Sequence, residues 1–156
     1  MDQEPLSDLD QQVVIFLLGE GSYAIEIAAV REIIRPQPIT VVPGAPSAIL
    51  GVINIRSTVV PVLDLRRRCG LPAAEQTRES RVVVVQVDDQ SVGIQVDAVS
   101  EVMTISPDII ESAASIVRGD SEHLVRGVAR LDDRLVMLLD LTRAINVDLN
   151  VTALAA

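Results

Sequence analysis

The stretch Val13–Ile34, VVIFLLGEGSYAIEIAAVREII, is followed 69 residues later by a version of itself, Val82–Met103, VVVVQVDDQSVGIQVDAVSEVM. A second pair, Gly51–Leu65 (GVINIRSTVVPVLDL) and Gly127–Leu141 (GVARLDDRLVMLLDL), aligns at an offset of 76. Because the order is kept and the offsets are similar, the sequence indicates one unit of about 70 residues used twice, with a small insertion in the second copy. Two similar units side by side create a seam, and a seam favours the binding of partners over catalysis.

The composition favours strands over helices. Val and Ile account for 39 of the 156 residues, and only 1% of the chain is aromatic. Side chains branched at Cβ fit a pleated surface better than a helix. We therefore expect few helices and a core made mainly of Val and Ile.

Each copy contains two predicted hairpins. In the first copy the apolar run Val13–Leu18 and the alternating run Tyr23–Ile27 flank a glycine-rich turn, and the second hairpin turns at Arg56–Thr58. About five short antiparallel strands per copy, each with an apolar face, close into a small barrel, since closure removes exposed edges. The sequence therefore predicts a mainly β fold of two pseudo-repeated five-stranded barrels with a few short helices.

The domain prediction follows the repeat. We expect a first barrel lobe over residues 13–78 and a second over 79–146, with exchange of strands between the lobes left open. Residues 1–12 are acidic and lack a secretory signal, so they are predicted to form a disordered tail. Residues 147–156 are predicted to be a tail or a short terminal helix.

Charge and hydropathy narrow the partners. The net charge is −9 and every basic residue is arginine, so nucleic acid, which requires a surplus of positive charge, is not an expected partner. The absence of lysine removes Schiff-base chemistry and a Walker-type phosphate loop. The longest apolar run, Val13–Leu18, is too short to cross a bilayer, so no direct membrane insertion is expected. A single cysteine fits a reducing cytoplasm.

The residues that carry chemistry are too few for an active site. His123 lies in a polar run and is interpreted as a solvated surface residue, and Cys69 as a small apolar side chain on the inner face of a short helix. Asp64 and Asp140 occupy matching places in the two copies, which favours helix capping over an acid/base pair. We predict no enzyme activity, no metal site and no cofactor.

Two further features bear on partner binding. The tip of the second hairpin reverses charge between the copies, with Arg56-Ser57 in one and Asp132-Asp133 in the other. Ordinary turn chemistry explains such a difference as well as recognition does. The run Arg66–Arg68 is interpreted as a solvated helix face. Mean hydropathy is +0.38, high for a chain of this kind, which suggests that some of the apolar surface faces another protein.

The stretch GSYAIEIAAVREIIRPQPITVVPGAPSAILGVINIRSTVVPVLDLRRRCGLP resembles the first half of the bacterial CheW chemotaxis coupling proteins. Their pattern there includes a Val-x-Glu-Ile segment, Ile-Thr-x-Val-Pro, and Gly-Val-x-Asn-Leu-Arg-Gly followed by Val-Pro-Val-x-Asp-Leu. The segments VGIQVDAVSEVMTISPDII and RGVARLDDRLVMLLDL resemble the second half. The resemblance spans about Gln12 to Asn146, and it departs from the pattern where Ser57 replaces the family's glycine after Arg56.

This resemblance implies two five-stranded SH3-like barrels. It also implies a cytoplasmic adaptor, recruited to membrane-associated receptor arrays, that joins the cytoplasmic tip of a methyl-accepting chemoreceptor to the regulatory domain of the histidine kinase CheA. A receptor helix would lie in the groove between the lobes, and the kinase domain would meet the first lobe. By resemblance, the receptor-binding residues are Val14, Ile27, Val30, Ile33, Arg56 and Val96. The kinase-binding residues are Glu32, Arg35, Ile39, Gly51 and Asn54.

A small-molecule-binding β module is the alternative from another class. Such a module needs a concave cavity with a few convergent polar groups. The Ile and Val alternation of this chain supplies few of them. Melting that shifts with a small ligand in the absence of any protein partner would favour this alternative.

Overall fold

Both copies of the repeat form two β-hairpins, and a short helix follows the second hairpin of each, in a computed structural model that describes residues 10–112 and 124–145. The first half contains β1 (Gln11–Leu18), β2 (Gly21–Glu26), β3 (Val30–Ile34), β4 (Ile49–Ile55), β5 (Thr58–Asp64) and α1 (Leu65–Arg68). The second half contains β6 (Arg81–Val87), β7 (Gln90–Val96), β8 (Ala98–Ile105), β9 (Ile110–Ser112), β10 (Val125–Leu131), β11 (Arg134–Leu139) and α2 (Leu141–Ile145). Short 3-10 helices precede β3 and β9 at Ile27–Ala29 and Pro107–Ile109.

The predicted boundary of the N-terminal tail is corrected by the structure, and some of the predictions fall on residues that the structure does not describe. Gln11 and Gln12, which we assigned to a disordered tail, begin β1 and pair with Ile105 and Thr104 of β8. Residues 1–9, His123 and 147–156, with the expectations attached to them, lie outside the described residues. Within the described ranges, no helix has the length and apolar character that a membrane crossing requires.

The two halves exchange their first hairpins. One sheet has the order β8-β1-β2-β11-β10-β9 and the other β3-β6-β7-β5-β4. The hairpin β1–β2 therefore belongs with strands of the second half, and β6–β7 with strands of the first, through parallel pairings of β2 with β11 and of β7 with β5. The division at residues 78 and 79 marks the sequence repeat, not a boundary between sheets. We call the first sheet the terminal barrel and the second the central barrel.

Each sheet closes through a bent strand. In the terminal barrel, β8 pairs with β1 and its continuation β9 pairs with β10, so β8 and β9 together act as one wall. In the central barrel, β3 pairs with β6, and Thr40 in the segment after β3 pairs with Val52 of β4. Counting each bent strand once, five walls surround each core. The predicted pair of five-stranded barrels is confirmed.

Three apolar clusters explain why β1 and β6 are continuously hydrophobic. Val13 and Ile15 of β1 point into the terminal barrel, whereas Phe16 and Leu18 join a cluster that also contains Val83 and Val85 of β6. Val82 and Val84 of β6 fill the central barrel instead. Both strands are thus buried on two faces, and such strands are typically apolar without alternation. The largest cluster is the seam itself, so each barrel is stabilised by the other.

A two-residue turn connects the two strands of each hairpin. In the β4–β5 turn Arg56 and Ser57 have φ of 49° and 70°, and in the β6–β7 turn Asp88 and Asp89 have 51° and 66°. Positive φ at both central residues characterises the turn that best matches strand twist. Asp and Asn tolerate this region better than Ser, so the Ser57 turn is the strained one.

Candidate functional site

The exposed apolar residues predicted for receptor binding lie on one short segment. Ile27 opens the 3-10 helix, and Val30 and Ile33 belong to β3, which is an edge strand of the central barrel. Ile27 and Val30 are partly buried, and Ile33 is 39% exposed. Val30 also packs against the seam cluster, so its side chain serves both the core and the surface.

Two other predicted receptor residues are core residues. Val14 is 1% exposed and Val96 is 2% exposed. A side chain with this burial cannot line an open groove, so their assignment to the groove surface is wrong in this conformation. Val96 packs in the seam cluster. The strands that carry these residues, β1 and β7, are apolar because each covers a core.

Arg56 and Glu32 form an ion pair, although we assigned them to different partners. The guanidinium of Arg56 at the β4–β5 turn reaches the Glu32 carboxylate on β3. Arg56 is 74% exposed and Glu32 28% exposed. A shallow depression of about 230 Å³ surrounds the pair and is lined in part by Arg31 and Ser91. The receptor and kinase residue sets therefore meet at this pair.

The hairpin tip that carries Arg56 in the first copy carries Asp132 in the second, so a different arginine pairs with the equivalent glutamate there. Glu101, the counterpart of Glu32, is paired with Arg134. Arg134 is the first residue of β11 and follows the turn, whereas Arg56 lies within the turn itself. Both barrels thus hold a glutamate–arginine pair at the same corner, and only the central barrel presents its arginine from the hairpin tip.

The residues predicted to face the kinase lie on the central barrel, with one correction. Arg35 and Asn54 are exposed, and Ile39 is partly buried against the barrel core. Gly51 is buried beneath the segment that closes the barrel: a Cβ at this position would lie 2.3 Å from the Thr40 carbonyl oxygen. Its glycine reflects this close approach of backbone, and the prediction that Gly51 itself contacts a partner is wrong.

Sequence reasoning missed two exposed apolar residues of the central barrel. Val59 is 58% exposed and pairs across the ladder with Asn54, and Val41 is 73% exposed in the closing segment. A valine next to a polar turn and another inside a proline-rich run were the available signals. With Asn54 they give this part of the central barrel an apolar component, which is what protein interfaces need at their centre.

The arginines of α1 are not a solvated face, contrary to our interpretation. The Arg66 guanidinium binds both carboxylate oxygens of Asp97, at 2.9 Å from Nε and 2.6 Å from Nη2. Arg67 donates to the Ser47 carbonyl, and Arg68 donates to the carbonyl oxygens of Arg143 and Ala144 at the end of α2. The arginine run by itself could not predict these hydrogen-bond partners, because every partner is distant from α1 in the sequence.

Charge and burial set the pKa values in this region. The hydrogen bond from Arg66 lowers the pKa of Asp97 against the opposing effect of burial, and the backbone N–H of Gly19 adds to the lowering. Burial raises the pKa of Cys69 to about 11, opposed by Arg68. The thiol therefore stays protonated at neutral pH and unreactive, consistent with the packing role predicted for it.

The carboxylates Asp64 and Asp140 act as predicted helix caps. Asp64 accepts a hydrogen bond from the backbone N–H of Arg66 at 3.1 Å, and Asp140 accepts one from Arg143 at 3.1 Å. These contacts satisfy free donors at the starts of α1 and α2. The matching places of the two residues thus reflect a repeated structural role.

Taken together, a pair of interlocked barrels with an aliphatic edge, a paired surface arginine and a second apolar surface defines a protein-binding scaffold. The CheW-like domain model matches residues 12–148, and the chain therefore belongs to the CheW-like domain family.

Known relatives cover nearly the whole chain. A probable chemotaxis protein CheW of Rhizobium etli is 35% identical over 136 residues, which are 87% of this chain and 88% of that protein. The chemotaxis protein CheW of Bacillus subtilis is 35% identical and covers 83% of each. The crystal structure of the scaffolding protein TtCheW from Thermoanaerobacter tengcongensis superposes with a TM-score of 0.81 at 33% identity, over 88% of this chain and 94% of that one.

Membership of this family makes the chain a non-enzymatic coupling adaptor of chemotaxis signalling. The resemblance stated from the motifs is confirmed. The relatives give no support to a small-molecule-binding module.

Proposed function

We propose that this adaptor joins the cytoplasmic tip of a methyl-accepting chemoreceptor to the regulatory domain of a CheA-type histidine kinase, in the cytoplasm at membrane-associated receptor arrays. The receptor helix packs on the segment Ile27–Ile33 beside the seam. The kinase domain packs on the outer face of the central barrel, around Asn54 and Val59.

The observation that carries the proposal is the aliphatic edge of the central barrel. Ile33, at 39% exposed, and the partly buried Ile27 and Val30 give this edge an apolar surface, and Glu32, whose carboxylate pairs with Arg56, lies between Val30 and Ile33 in the chain. A helix laid along such an edge buries a few apolar side chains and meets a charged residue that fixes its orientation. Burial of this size gives modest affinity, which repetition in an array multiplies.

The kinase proposal depends on a second surface of the central barrel, which meets the receptor edge at the Arg56–Glu32 pair. Glu32, Arg35, Ile39 and Asn54 all lie on β3, β4 or the segment between them, so they belong to the central barrel alone. Val41 and Val59 supply exposed apolar area there. The two partners can then bind one adaptor at once, which is what coupling requires.

Ile33→Asp tests the receptor surface. A buried carboxylate in the contact should weaken binding of a receptor-tip fragment by on the order of 1–3 kcal/mol, roughly 5- to 150-fold in Kd, because central interface residues have effects of this size. Ile33 suits this test better than Val30, whose partial packing on the seam would mix folding with binding. Isothermal titration calorimetry with the purified chain measures the change.

The matched control is Val102→Asp. Val102 lies at the equivalent position of β8 in the terminal barrel and is 51% exposed, so the same charge enters a similar apolar surface. Receptor binding should be retained in this variant, and kinase-domain binding should be retained in both. Equal loss of receptor binding in the two variants would contradict the assignment to β3.

Asn54→Arg gives the reciprocal measurement for the kinase surface. Asn54 is exposed, so the longer charged side chain changes the surface and not the core. Affinity for the isolated kinase regulatory domain should fall, and affinity for the receptor fragment should not. Unchanged kinase affinity would place that domain elsewhere on the adaptor.

A further inference from the structure

Both short helices lie against the seam, but only α1 carries arginines that cross it. α1 follows β5 of the central barrel, and α2 follows β11 of the terminal barrel. The residues of α2 that correspond to Arg66 and Arg68 are Thr142 and Ala144. The repeat is therefore symmetric in backbone and asymmetric in the side chains that join the barrels.

Asp97 is the anchor for the first of these arginines. Its backbone N–H donates to the Leu17 carbonyl at 3.0 Å, and its Oδ2 accepts from the Gly19 N–H at 2.6 Å. Both partners belong to the β1–β2 hairpin of the terminal barrel. Arg66 of α1 binds the same carboxylate through two nitrogens, and its Nη1 donates to the Pro72 carbonyl at 2.7 Å. We call this group of bonds the clasp.

The equivalent place on the other edge of the seam is open. Ala28 stands at the position of Asp97 and Thr142 at the position of Arg66, so no clasp can form there. A cleft of about 300 Å³ occupies this edge and is lined by residues that include Glu26, Ala29 and Thr142. Ala29 lies between Ile27 and Val30, so the open edge borders the proposed receptor surface.

We propose that Arg66 and Asp97 are positioning residues for receptor binding: the clasp fixes the angle between the barrels along one edge of the seam and so sets the opening of the other edge, where the receptor helix packs. This inference rests on the proposed function. A bidentate pair between arginine and carboxylate suits the role because it fixes direction as well as distance. The bonds from Arg68 to the last carbonyls of α2, both 2.9 Å, hold the helices together across the same seam.

Arg66→Gln tests the role through its selectivity. It should lower affinity for the receptor-tip fragment about five- to tenfold, as loss of preorganisation does, and leave affinity for the kinase regulatory domain unchanged because the proposed kinase residues Asn54 and Val59, unlike Ala29 beside the receptor edge, do not line the open edge of the seam. Arg66→Lys keeps the positive charge but loses the two-nitrogen contact with the Asp97 carboxylate, so it should give an intermediate loss of receptor affinity. Arg143→Gln is the matched control, since Arg143 pairs with Asp140 of its own helix start, and it should bind both partners normally.

The barrel angle is measured without any partner. Spin labels are attached to cysteines introduced by Asp89→Cys and Asp133→Cys, in turns of the central and terminal barrels, in a chain that also carries Cys69→Ala. Pulsed electron paramagnetic resonance records the distribution of distances between the two labels. The distribution should broaden or shift in Arg66→Gln and stay narrow in Arg143→Gln. An unchanged distribution, or a parallel loss of receptor and kinase affinity, overturns the positioning role. If the unaltered chain fails to bind the receptor fragment, the proposed function fails and the receptor role with it, while the distances still report whether the clasp sets the angle.

Discussion

At the scale of single residues, Gly51 illustrates how sterics and binding can be confused. Its Cβ would meet backbone, at 2.3 Å from the Thr40 oxygen, and its φ is +151°. Gly51→Ala should therefore lower the free energy of unfolding by about 2–5 kcal/mol, from strain and overpacking together. Urea denaturation followed by circular dichroism measures this loss.

Gly127 provides the comparison for this prediction. In the terminal barrel its Cβ would lie 2.8 Å from Ile110 Cγ2, the end of a side chain, and 3.0 Å from the Glu111 oxygen. Gly127→Ala should be the milder change, at about 1–3 kcal/mol. If Gly51→Ala were as stable as the parent chain but bound the kinase poorly, the steric explanation would be wrong and the residue would be a contact after all.

The sequence did not predict which individual valines are buried. Val14, Val30 and Val96 are apolar in equivalent runs, and nothing in the pattern separates the two that are buried from the one that is partly exposed. The difference arises because β1 and β7 are covered on both faces, whereas β3 is an edge strand. Family resemblance placed these residues near the seam, and only the packing shows which of them reach the surface.

At the scale of elements, the β4–β5 turn stores strain, and one substitution removes the part that arises at Ser57. Ser57 has φ of 70°, which costs a residue with a Cβ about 1–2 kcal/mol. Glycine avoids this cost but loses about 0.5–1 kcal/mol more backbone entropy on folding. Ser57→Gly should therefore stabilise the fold by about 0.5–1 kcal/mol, seen as a higher urea midpoint. Ser57→Ala keeps the strain and should give no gain, so equal midpoints for the two variants would refute the assignment.

Local elements were predictable because their signals are local. Alternation and turn residues predicted the four hairpins, and the Asp-Leu pairs predicted the starts of α1 and α2. The sequence could not indicate that β1–β2 pairs with β11, since β5 and β11 resemble each other and either could accept the hairpin. In the observed arrangement Phe16 and Leu18 are buried in the seam cluster, a property of the assembled fold that no local pattern shows.

At the scale of the whole molecule, exchange of hairpins makes the barrels interdependent and gives the seam a role in stability at low pH. The Arg66 hydrogen bond lowers the pKa of Asp97 in the folded state. A carboxyl group with a lowered folded pKa stabilises the fold above its unfolded pKa of about 3.9, and this stabilisation disappears as pH falls through the folded value. The clasp therefore contributes at neutral pH and fails in acid.

Asp97→Asn removes the titration but keeps the shape of the side chain. It should lower the free energy of unfolding at pH 7 by about 1–2 kcal/mol, a value reduced for the 32% exposure of the Asp97 side chain, and flatten the fall in stability as the pH drops below about 5. Denaturant midpoints across this range measure both effects. Arg66→Gln should remove largely the same increment, and the double variant should lose much less than the sum, because both changes break one clasp. Additive losses would show that the two residues act separately and that the clasp is not one unit.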